Sequence, residues 1–512
     1  MIRRSSLLNP PGHEKIKKIS LYISALGLIC STAFFFHIVR TFIIGIGEKV
    51  LGRDLNNDFW MLELLVYAAI AFSGFAVLFI IFFIMKNIGS GFYKKFKYDI
   101  VIFLFLGFQL SLMVPEPHDM QDWIIMPYAL NYTYGFASRF LIGSLLNLIV
   151  PYLTMHFLFY FILSSTLLLC FLLALYLGSC IRSNLVKLGT DRKQVRKSPC
   201  ENMRIENIDI ALKTLIILYL ASPASPATWF PANNFGRLDI YLYIFSLLSL
   251  FCIKNEKYKC LIPVFTLMSV ATHQVFVFTF FPLILGAILY YIYHNKFNQR
   301  AIFFSLLTLL ITCVGFIYFQ FFSQINFDNV DEFVRIIQQG ANIPISIGMI
   351  IYEYFTTDVA YRVPFIIQYI APDGLITIVL MLPLHIILIR IFLQAKKHSN
   401  DKVLKAGITL LIIFLPVCTL PAFVLHPDWG RWFAAFYTVQ VLMIFHMVKS
   451  SCTPFIMAAE EFGKWIRKNW FITVFLVLYL SSLDKFNYYR LDKSLRILHL
   501  IMSIIEGLRY VG

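Results

Sequence analysis

Charged residues are scarce in this chain. They make up 14% of its 512 residues, whereas soluble domains contain about 25%. Hydrophobic residues reach 59%, aromatic residues 17%, and the mean hydropathy is +0.74. This composition excludes an ordinary soluble protein. Because a membrane span needs about 20 predominantly apolar residues, about a dozen spans account for most of the chain and leave no room for a large soluble domain.

Motifs for metal, nucleotide and disulfide chemistry are also missing. The nine cysteines show no Cys-x-x-Cys spacing, and no His-x-x-x-His pair occurs, which argues against a structural zinc site and a disulfide framework. The chain has no P-loop and no Gly-x-Gly-x-x-Gly motif, so no ATP or dinucleotide site is predicted. We expect no cofactor; a divalent metal is compatible with the sequence but has no support in it.

What the sequence does contain is a series of thirteen apolar segments separated by polar gaps. They predict an all-α fold: a polytopic transmembrane helical bundle of about 13 spans, with interfacial helices on the outer face. The predicted spans are about 19–45, 60–85, 99–114, 151–178, 209–222, 239–253, 260–272, 275–293, 301–322, 374–394, 406–424, 432–448 and 470–482.

Basic residues fall almost entirely in alternate gaps between these segments. About 29 lysines and arginines lie in one set of gaps and about seven in the other, and such residues are retained on the cytoplasmic side. The N-terminus is therefore predicted to be cytoplasmic and the C-terminus outside. The same loops explain the net charge of +16, which would otherwise suggest a nucleic-acid-binding protein.

Two segments are expected to depart from simple spans. Residues 260–293 form one apolar run interrupted at Thr272-His273-Gln274, and only a pair of short helices meeting at His273 keeps the charge pattern alternating. Residues 137–150 fit a helix lying along the outer membrane surface, as does the amphipathic tail 491–512, which is expected to carry no chemistry. His273 could be functional or simply stabilise its turn, and Arg139 could simply extend to the lipid headgroups.

The predicted outer gaps carry isolated charges among aromatic residues, and these are the candidate site residues. Arginine presents a planar fork to phosphate oxygens, Tyr and Trp faces suit sugar rings, and a carboxylate can take a proton from a hydroxyl. Asp119 and Asp122 are two such carboxylates. The candidates for substrate binding are His118, Arg139, Arg237, Asp239, His273, Gln274, Asp358, Arg362, His426, Asp428 and Arg431. Asp119 and Asp122 could simply be solvated loop carboxylates, and Arg237 with Asp239, or Asp428 with Arg431, could be structural pairs.

This arrangement, with Tyr134–Gly143, Gly236–Asp239 and Asp428–Arg431 as its distinctive stretches, resembles the GT-C membrane glycosyltransferases and membrane proteins of bacterial surface-polysaccharide biosynthesis. In that family the first large outer loop supplies an acidic base, and by position this role falls on Asp119 or Asp122. The loop follows the first span in the family and the third span here. The resemblance therefore implies an N-terminal region 1–98 with two extra spans, a GT-C-like core 99–482 and an interfacial tail 483–512.

The resemblance implies an integral-membrane glycosyltransferase in the bacterial cytoplasmic membrane. It would transfer a sugar from a polyprenyl-phosphate-linked donor to a glycan or lipid-linked acceptor on the outer face, during O-antigen or capsule biosynthesis. Its partners would be these substrates and membrane lipids, with no nucleic acid. The alternatives are an oligosaccharide repeat-unit polymerase and a lipid-linked glycan flippase or other transporter. A transporter should place ionisable residues in the middle of its spans and should often consist of repeated halves. Here only Lys213 lies in the middle of a span.

The orientation is testable by labelling single cysteines from each side of the membrane, in a background without the nine native thiols. A cysteine at position 191 should react only with reagent on the cytoplasmic side, and one within 323–373 only with reagent outside. Outside labelling of position 191 would contradict the predicted face of the candidate site.

Overall fold

The computed structural model describes residues 90–150, 152–190, 199–230, 234–253, 255, 257–296, 298–355, 366, 368, 371–425 and 427–486. Contacts divide the chain into two compact units, Met1–Ile84 and Met85–Gly512, and all described residues belong to the second. The predicted spans 19–45 and 60–85 and the amphipathic tail 491–512 lie outside the described residues.

The described residues of the second unit lie mostly in α-helices. They are α1 Ser90–Met113, α2 Asp122–Ile125, α3 Phe140–Asn147, α4 Met155–Thr190, α5 Pro199–Ala221, α6 Pro226–Trp229, α7 Asp239–Ile253, α8 Leu261–Thr272, α9 Phe276–Thr279, α10 Phe281–His294, α11 Gln299–Phe321, α12 Val330–Gly340, α13 Ile347–Ile350, α14 Ala371–Lys397, α15 Lys402–Leu425, α16 Trp429–Lys449, α17 Thr453–Lys468 and α18 Trp470–Ser482.

Within the described residues, six helices are long and apolar enough to cross a membrane: they lie in α4, the α5–α6 segment, α11, α14, α15 and α16. Four shorter apolar helices accompany them: α7, α8, α10 and α18. The predicted all-α, membrane-type architecture is therefore confirmed. Each of the eleven predicted spans from 99–114 onward overlaps a helix, but the count of about 13 spans stays a prediction.

Burial differs strongly between these helices. In α16, 89% of an apolar stretch of 18 residues is buried inside the protein, against 22% of the corresponding stretch in α11. A helix that is apolar on all sides belongs in the interior of a bundle or in lipid. The buried α16 therefore lies at the centre, packed against α4, α10, α14 and α15, and the outward-facing side chains of α11 fit contact with lipid.

The break predicted within residues 260–293 is confirmed. Helix α8 ends at Thr272, His273 takes an extended conformation with φ −164° and ψ 119°, and the chain resumes as α9 at Phe276. The break leaves backbone groups outside the helical hydrogen-bond pattern. One of them is bonded locally, since the Phe276 amide donates to the His273 carbonyl at 3.1 Å. Irregular backbone at membrane depth is tolerated where protein surrounds it, and His273 is buried.

Four two-residue strands join the long connections at the same end of the bundle. Strand β1, Gly135–Phe136, pairs antiparallel with β3, Gln324–Ile325; β2, Leu153–Thr154, pairs parallel with β4, Ala341–Asn342. Between them lies a small apolar cluster formed by Met126, Leu130, Ala137, Phe140, Phe333, Val334, Ile337 and Ile350. The connections 114–150 and 323–355 thus form one packed layer over the helices.

Residues 137–150 contain a helix, α3, as predicted; its place along a membrane surface stays a prediction. Its packing depends on Gly143, because a Cβ atom there would overlap the Leu130 carbonyl oxygen. Because of this close approach, α3 packs directly against the 3₁₀ turn Met126–Tyr128. The packing also fixes the position of Arg139, which immediately precedes the helix.

Replacing Gly143 by alanine should therefore destabilise the protein by about 1–3 kcal/mol, the usual cost of forcing extra atoms into a packed site. The matched control is Gly107→Ala within α1, where a Cβ would meet no atom within 4 Å. This control should be neutral or slightly stabilising, since alanine favours the helix over glycine. The melting temperature of the purified protein in detergent measures both; equal effects would contradict the assigned packing of α3.

Candidate functional site

Six of the candidate residues, from distant parts of the chain, meet in one pocket beneath the layer of connections. The pocket covers about 570 Å³ of space, part of it open to solvent. It is lined by Trp123, Ile124, Pro127, Arg139, Arg237, Leu238, Asp239, His273, Met349, Pro427, Asp428, Arg431 and Trp432.

Four of the lining residues form a continuous chain of buried ion pairs. Arg237 Nη1 lies 3.1 Å from Asp428 Oδ2, and the same oxygen accepts from Arg431 Nη1. Arg431 Nη2 then lies 2.8 Å from Asp239 Oδ2. The predicted pairing of Asp428 with Arg431 is thus present, whereas the pairing of Arg237 with its sequence neighbour Asp239 is replaced by longer-range partners.

Local backbone geometry brings these four side chains together. Asp239 opens α7 and Asp428 is the N-cap residue of α16, positions where the helix dipole favours a carboxylate. Arg431 lies one turn into α16. Gly236 has φ +98°, which glycine adopts at little cost, and this turn positions the next residue, Arg237, beside the start of α16.

Two tryptophans cover the guanidinium groups of this ion-pair chain. The Trp123 ring centroid lies 4.4 Å from Arg237 Cζ, and the Trp432 ring centroid lies 4.5 Å from Arg431 Cζ. Stacking of this kind is worth roughly 0.5–2 kcal/mol per pair. It holds each guanidinium plane in one orientation and excludes water from one of its faces.

Arg139 and His273 form the opposite wall of the pocket. Arg139 has a left-handed backbone, φ 73°, a conformation that costs about 1–2 kcal/mol outside glycine. It is held there by its amide, which donates to the Ala271 carbonyl at 3.2 Å, just before the helix break. Its Nη2 lies 3.4 Å from His273 Nε2. Strain of this kind concentrates at functional sites.

Gln274 supports this wall from behind and does not line the pocket. Its Oε1 accepts a hydrogen bond from Ser138 Oγ, and the Ser138 amide donates to Ser323 Oγ at 3.0 Å. The helix break, the start of α3 and the end of α11 are thereby tied together around Arg139.

Among the described lining residues, arginines outnumber carboxylates. They are Arg139, Arg237 and Arg431 against Asp239 and Asp428. The setting is largely buried, and electrostatic attraction is stronger there than in water. The pocket therefore favours an anionic ligand.

The acidic loop that supplies the catalytic candidates lies outside the pocket. Asp119 is exposed and pairs with His118, whose Nε2 lies 3.4 Å away; Glu116 lies 3.6 Å from the other ring nitrogen. Asp122 is also exposed, but it directly precedes Trp123, which does line the pocket. Of the two aspartates, Asp122 is therefore the one adjacent in sequence to the pocket wall.

Tyrosines in the same layer are poor alternatives as a base. Burial, and to a smaller extent the nearby Tyr318, raise the pKa of Tyr132 to about 12. Burial likewise raises the pKa of Tyr134. Both phenols therefore stay protonated at neutral pH and can serve only as hydrogen-bonding or stacking groups.

The remaining candidates, Asp358, Arg362 and His426, lie outside the described residues. No group of three or more His, Cys, Asp or Glu side chains in the described part of the chain is arranged to hold a metal ion.

Sequence reasoning did not select Trp123, Trp432 or Met349 as site residues. The signal for Trp432 was available, because it directly follows Arg431 in a gap already rich in candidates. Trp123 directly follows the candidate Asp122, but its contact with Arg237 spans more than a hundred residues of sequence. No local pattern marks Met349.

Comparison with known proteins adds no relative to this picture: no family model matches the chain, and neither a curated protein nor a solved structure matches it.

The ion-pair chain leads to a stability prediction for Arg431. Arg431→Ala would leave Asp239 buried without this partner, and breaking a buried pair in this way typically costs about 3–5 kcal/mol. The control is Arg467→Ala, which removes an exposed pair with Glu206, worth at most about 1 kcal/mol. Thermal unfolding in detergent should show a much larger loss for Arg431→Ala.

The double variant Asp428→Ala/Arg431→Ala sharpens this test. It should not restore stability, because Arg237 and Asp239 would each still lose a partner. Recovery to the level of the Arg467 control would show that Asp428 and Arg431 act as an isolated pair, contrary to the chain of four.

Proposed function

We propose that this protein transfers a sugar from a polyprenyl-phosphate-linked donor to a glycan or lipid-linked acceptor on the outer face of a bacterial cytoplasmic membrane. The observation that carries the proposal is the meeting of Arg139, Arg237 and Arg431 in one pocket, where they outnumber the carboxylates among the described lining residues. These three arginines come from three separate parts of the chain, and each was a candidate phosphate ligand on sequence grounds.

The arginines suit a phosphate because their forks are already oriented. Asp428 bonds to the guanidinium group of Arg237, and Asp239 bonds to that of Arg431. The two tryptophans fix the planes of these two groups. Side chains held in this way lose little conformational entropy when a ligand binds. Arg139, with its left-handed backbone and its guanidinium group beside His273, is the arginine that we propose for direct phosphate contact.

A lipid-linked donor also fits the surroundings of the pocket. Leu148 and Ile149, at the end of α3, are 82% and 74% exposed, and side chains of this type at a membrane surface contact acyl chains. A donor held by its phosphate at Arg139 could keep its polyprenyl chain in the bilayer. No ATP is needed, because the lipid phosphate is the leaving group.

The proposed reaction is a single displacement at the anomeric carbon of the donor sugar. An oxygen of the acceptor hydroxyl forms the new bond, the bond between the anomeric carbon and the phosphate oxygen breaks, and the polyprenyl phosphate leaves with the electron pair. The proton of the acceptor hydroxyl passes to a carboxylate, for which we propose Asp122 ahead of Asp119 because of its position beside Trp123. The departing phosphate gains negative charge, which the arginines stabilise.

Mass spectrometry of surface glycans and lipid-linked intermediates in a deletion strain tests this proposal. Loss of the gene should shorten the glycan and accumulate its lipid-linked precursor. Wild-type protein should restore the glycan, while Arg139→Ala and Asp122→Asn should not. Arg139→Ala removes the proposed phosphate ligand. Asp122→Asn removes the proposed general base, a loss that costs about 10²–10⁴ in rate. Arg139→Lys should restore part of it, because lysine keeps the charge but not the fork.

Arg467→Ala, at an exposed ion pair, is the control and should restore the glycan fully at equal protein level. Unchanged glycans in the deletion strain would reject the proposal. Accumulation of complete, unpolymerised repeat units would instead identify a repeat-unit polymerase, since a missing transferase leaves an acceptor that is one sugar too short.

A further inference from the structure

A second cavity with basic lining lies at the other end of helices α8 and α11. We define this basic cavity by its lining residues, Lys257, Cys260, Gln299, Arg300, Phe303 and Phe304; it covers about 1060 Å³, much of it open. Helix α8 begins beside it and ends at Thr272, directly before His273, and its 12 residues span about 18 Å at 1.5 Å per residue. The basic cavity is therefore separate from the candidate functional site.

A narrower cleft between helices lies beside the basic cavity. This inner cleft shares Phe304 with the basic cavity and is lined also by Lys259, Tyr291 and Ser305. Lys259 is buried; its ammonium group donates to Tyr291 Oη and lies 3.8 Å from the centre of that ring. A third cationic side chain thus lines the neighbouring cleft.

Charge in this region is strongly positive. The connections 254–259 and 295–300 contain Lys254, Lys257, Lys259, Lys296 and Arg300 against a single acid, Glu256. The lining residues described for the basic cavity and the inner cleft include no carboxylate. An anionic group entering here would meet lysine, arginine and the amide of Gln299, all of them hydrogen-bond donors.

The side of the basic cavity that leads along the helices is apolar. Phe303, Leu306 and Leu310 on α11 are 61%, 61% and 60% exposed, and they follow one another at helical spacing on a single face. Tyr258, at the rim, is half-exposed, as is common for tyrosines at the level of lipid headgroups. Cationic groups above an apolar strip match a molecule with an anionic head and a hydrocarbon tail.

The geometry points to a binding site for an anionic phospholipid, with its phosphate in the basic cavity between Lys257 and Arg300 and an acyl chain along Phe303, Leu306 and Leu310. Basic pockets between transmembrane helices recognise anionic headgroups by the same chemistry. This site does not depend on the proposed sugar transfer. By the distribution of basic residues it faces the cytoplasmic leaflet, where anionic lipids attract such segments.

Native mass spectrometry of the full-length protein in detergent tests the inference. Phosphatidylglycerol should bind more tightly than phosphatidylcholine with the same acyl chains. Each basic residue near the membrane surface contributes about 1 kcal/mol to such binding, equivalent to roughly a fivefold change in affinity. Lys257→Ala/Arg300→Ala should therefore bind phosphatidylglycerol roughly 25- to 30-fold more weakly.

The matched control is Lys402→Ala/Lys405→Ala, which removes two exposed lysines that line neither cavity and should change the affinity less than twofold. Melting temperatures without added lipid verify that both variants fold, and Arg300→Gln replaces the double variant if it does not. Equal binding of the two lipids, or an equal loss in the control, would overturn the inference. So would millimolar inorganic phosphate binding as tightly as phosphatidylglycerol, which would identify a free-phosphate site.

Discussion

The shared ion pairs between Arg237, Asp428, Arg431 and Asp239 are the constraint on which the arrangement of the site depends. Taking an isolated charge out of water costs several kcal/mol, so none of these buried side chains is stable alone. Each inner member of the chain of four has two partners, and the pairs connect the start of α7 with the start of α16. The most buried of the six long apolar helices is thereby held in register with the connection that carries Arg237.

The helix break at His273 and the layer of connections solve a related problem. Backbone that leaves helical geometry near a membrane needs hydrogen-bond partners from the protein. The Ala271 carbonyl receives the Arg139 amide, and Ser138 joins Gln274 to Ser323. These bonds hold Arg139 in its left-handed conformation. Strain at one residue is thus balanced by contacts from two other segments, and the result is a guanidinium group aimed into the pocket.

Much of the architecture could be predicted because apolar length and basic asymmetry are strong, local signals. The prediction of 239–253 coincides with α7, and the interruption at His273 coincides with the end of α8. Arg139, Arg237, Asp239, His273, Asp428 and Arg431 were chosen because isolated polar residues near a membrane are costly unless they have a role, and all six line the pocket. Asp119 and Asp122 were chosen by position in a resemblance, which carries no information about burial, and both are exposed.

The sequence alone determined that this is a helical, membrane-type chain, roughly where its apolar segments lie, and which polar residues needed an explanation. Those properties follow from the length and periodicity of the apolar segments, which can be read directly from the sequence. Only the tertiary structure decided which charges are partners: Arg237 bonds to Asp428 and not to its neighbour Asp239, and Trp123 covers Arg237. Such partnerships join residues up to about two hundred positions apart. They depend on how helices pack against one another, because the cost of a buried charge is settled by whichever opposite charge the fold brings within hydrogen-bonding distance.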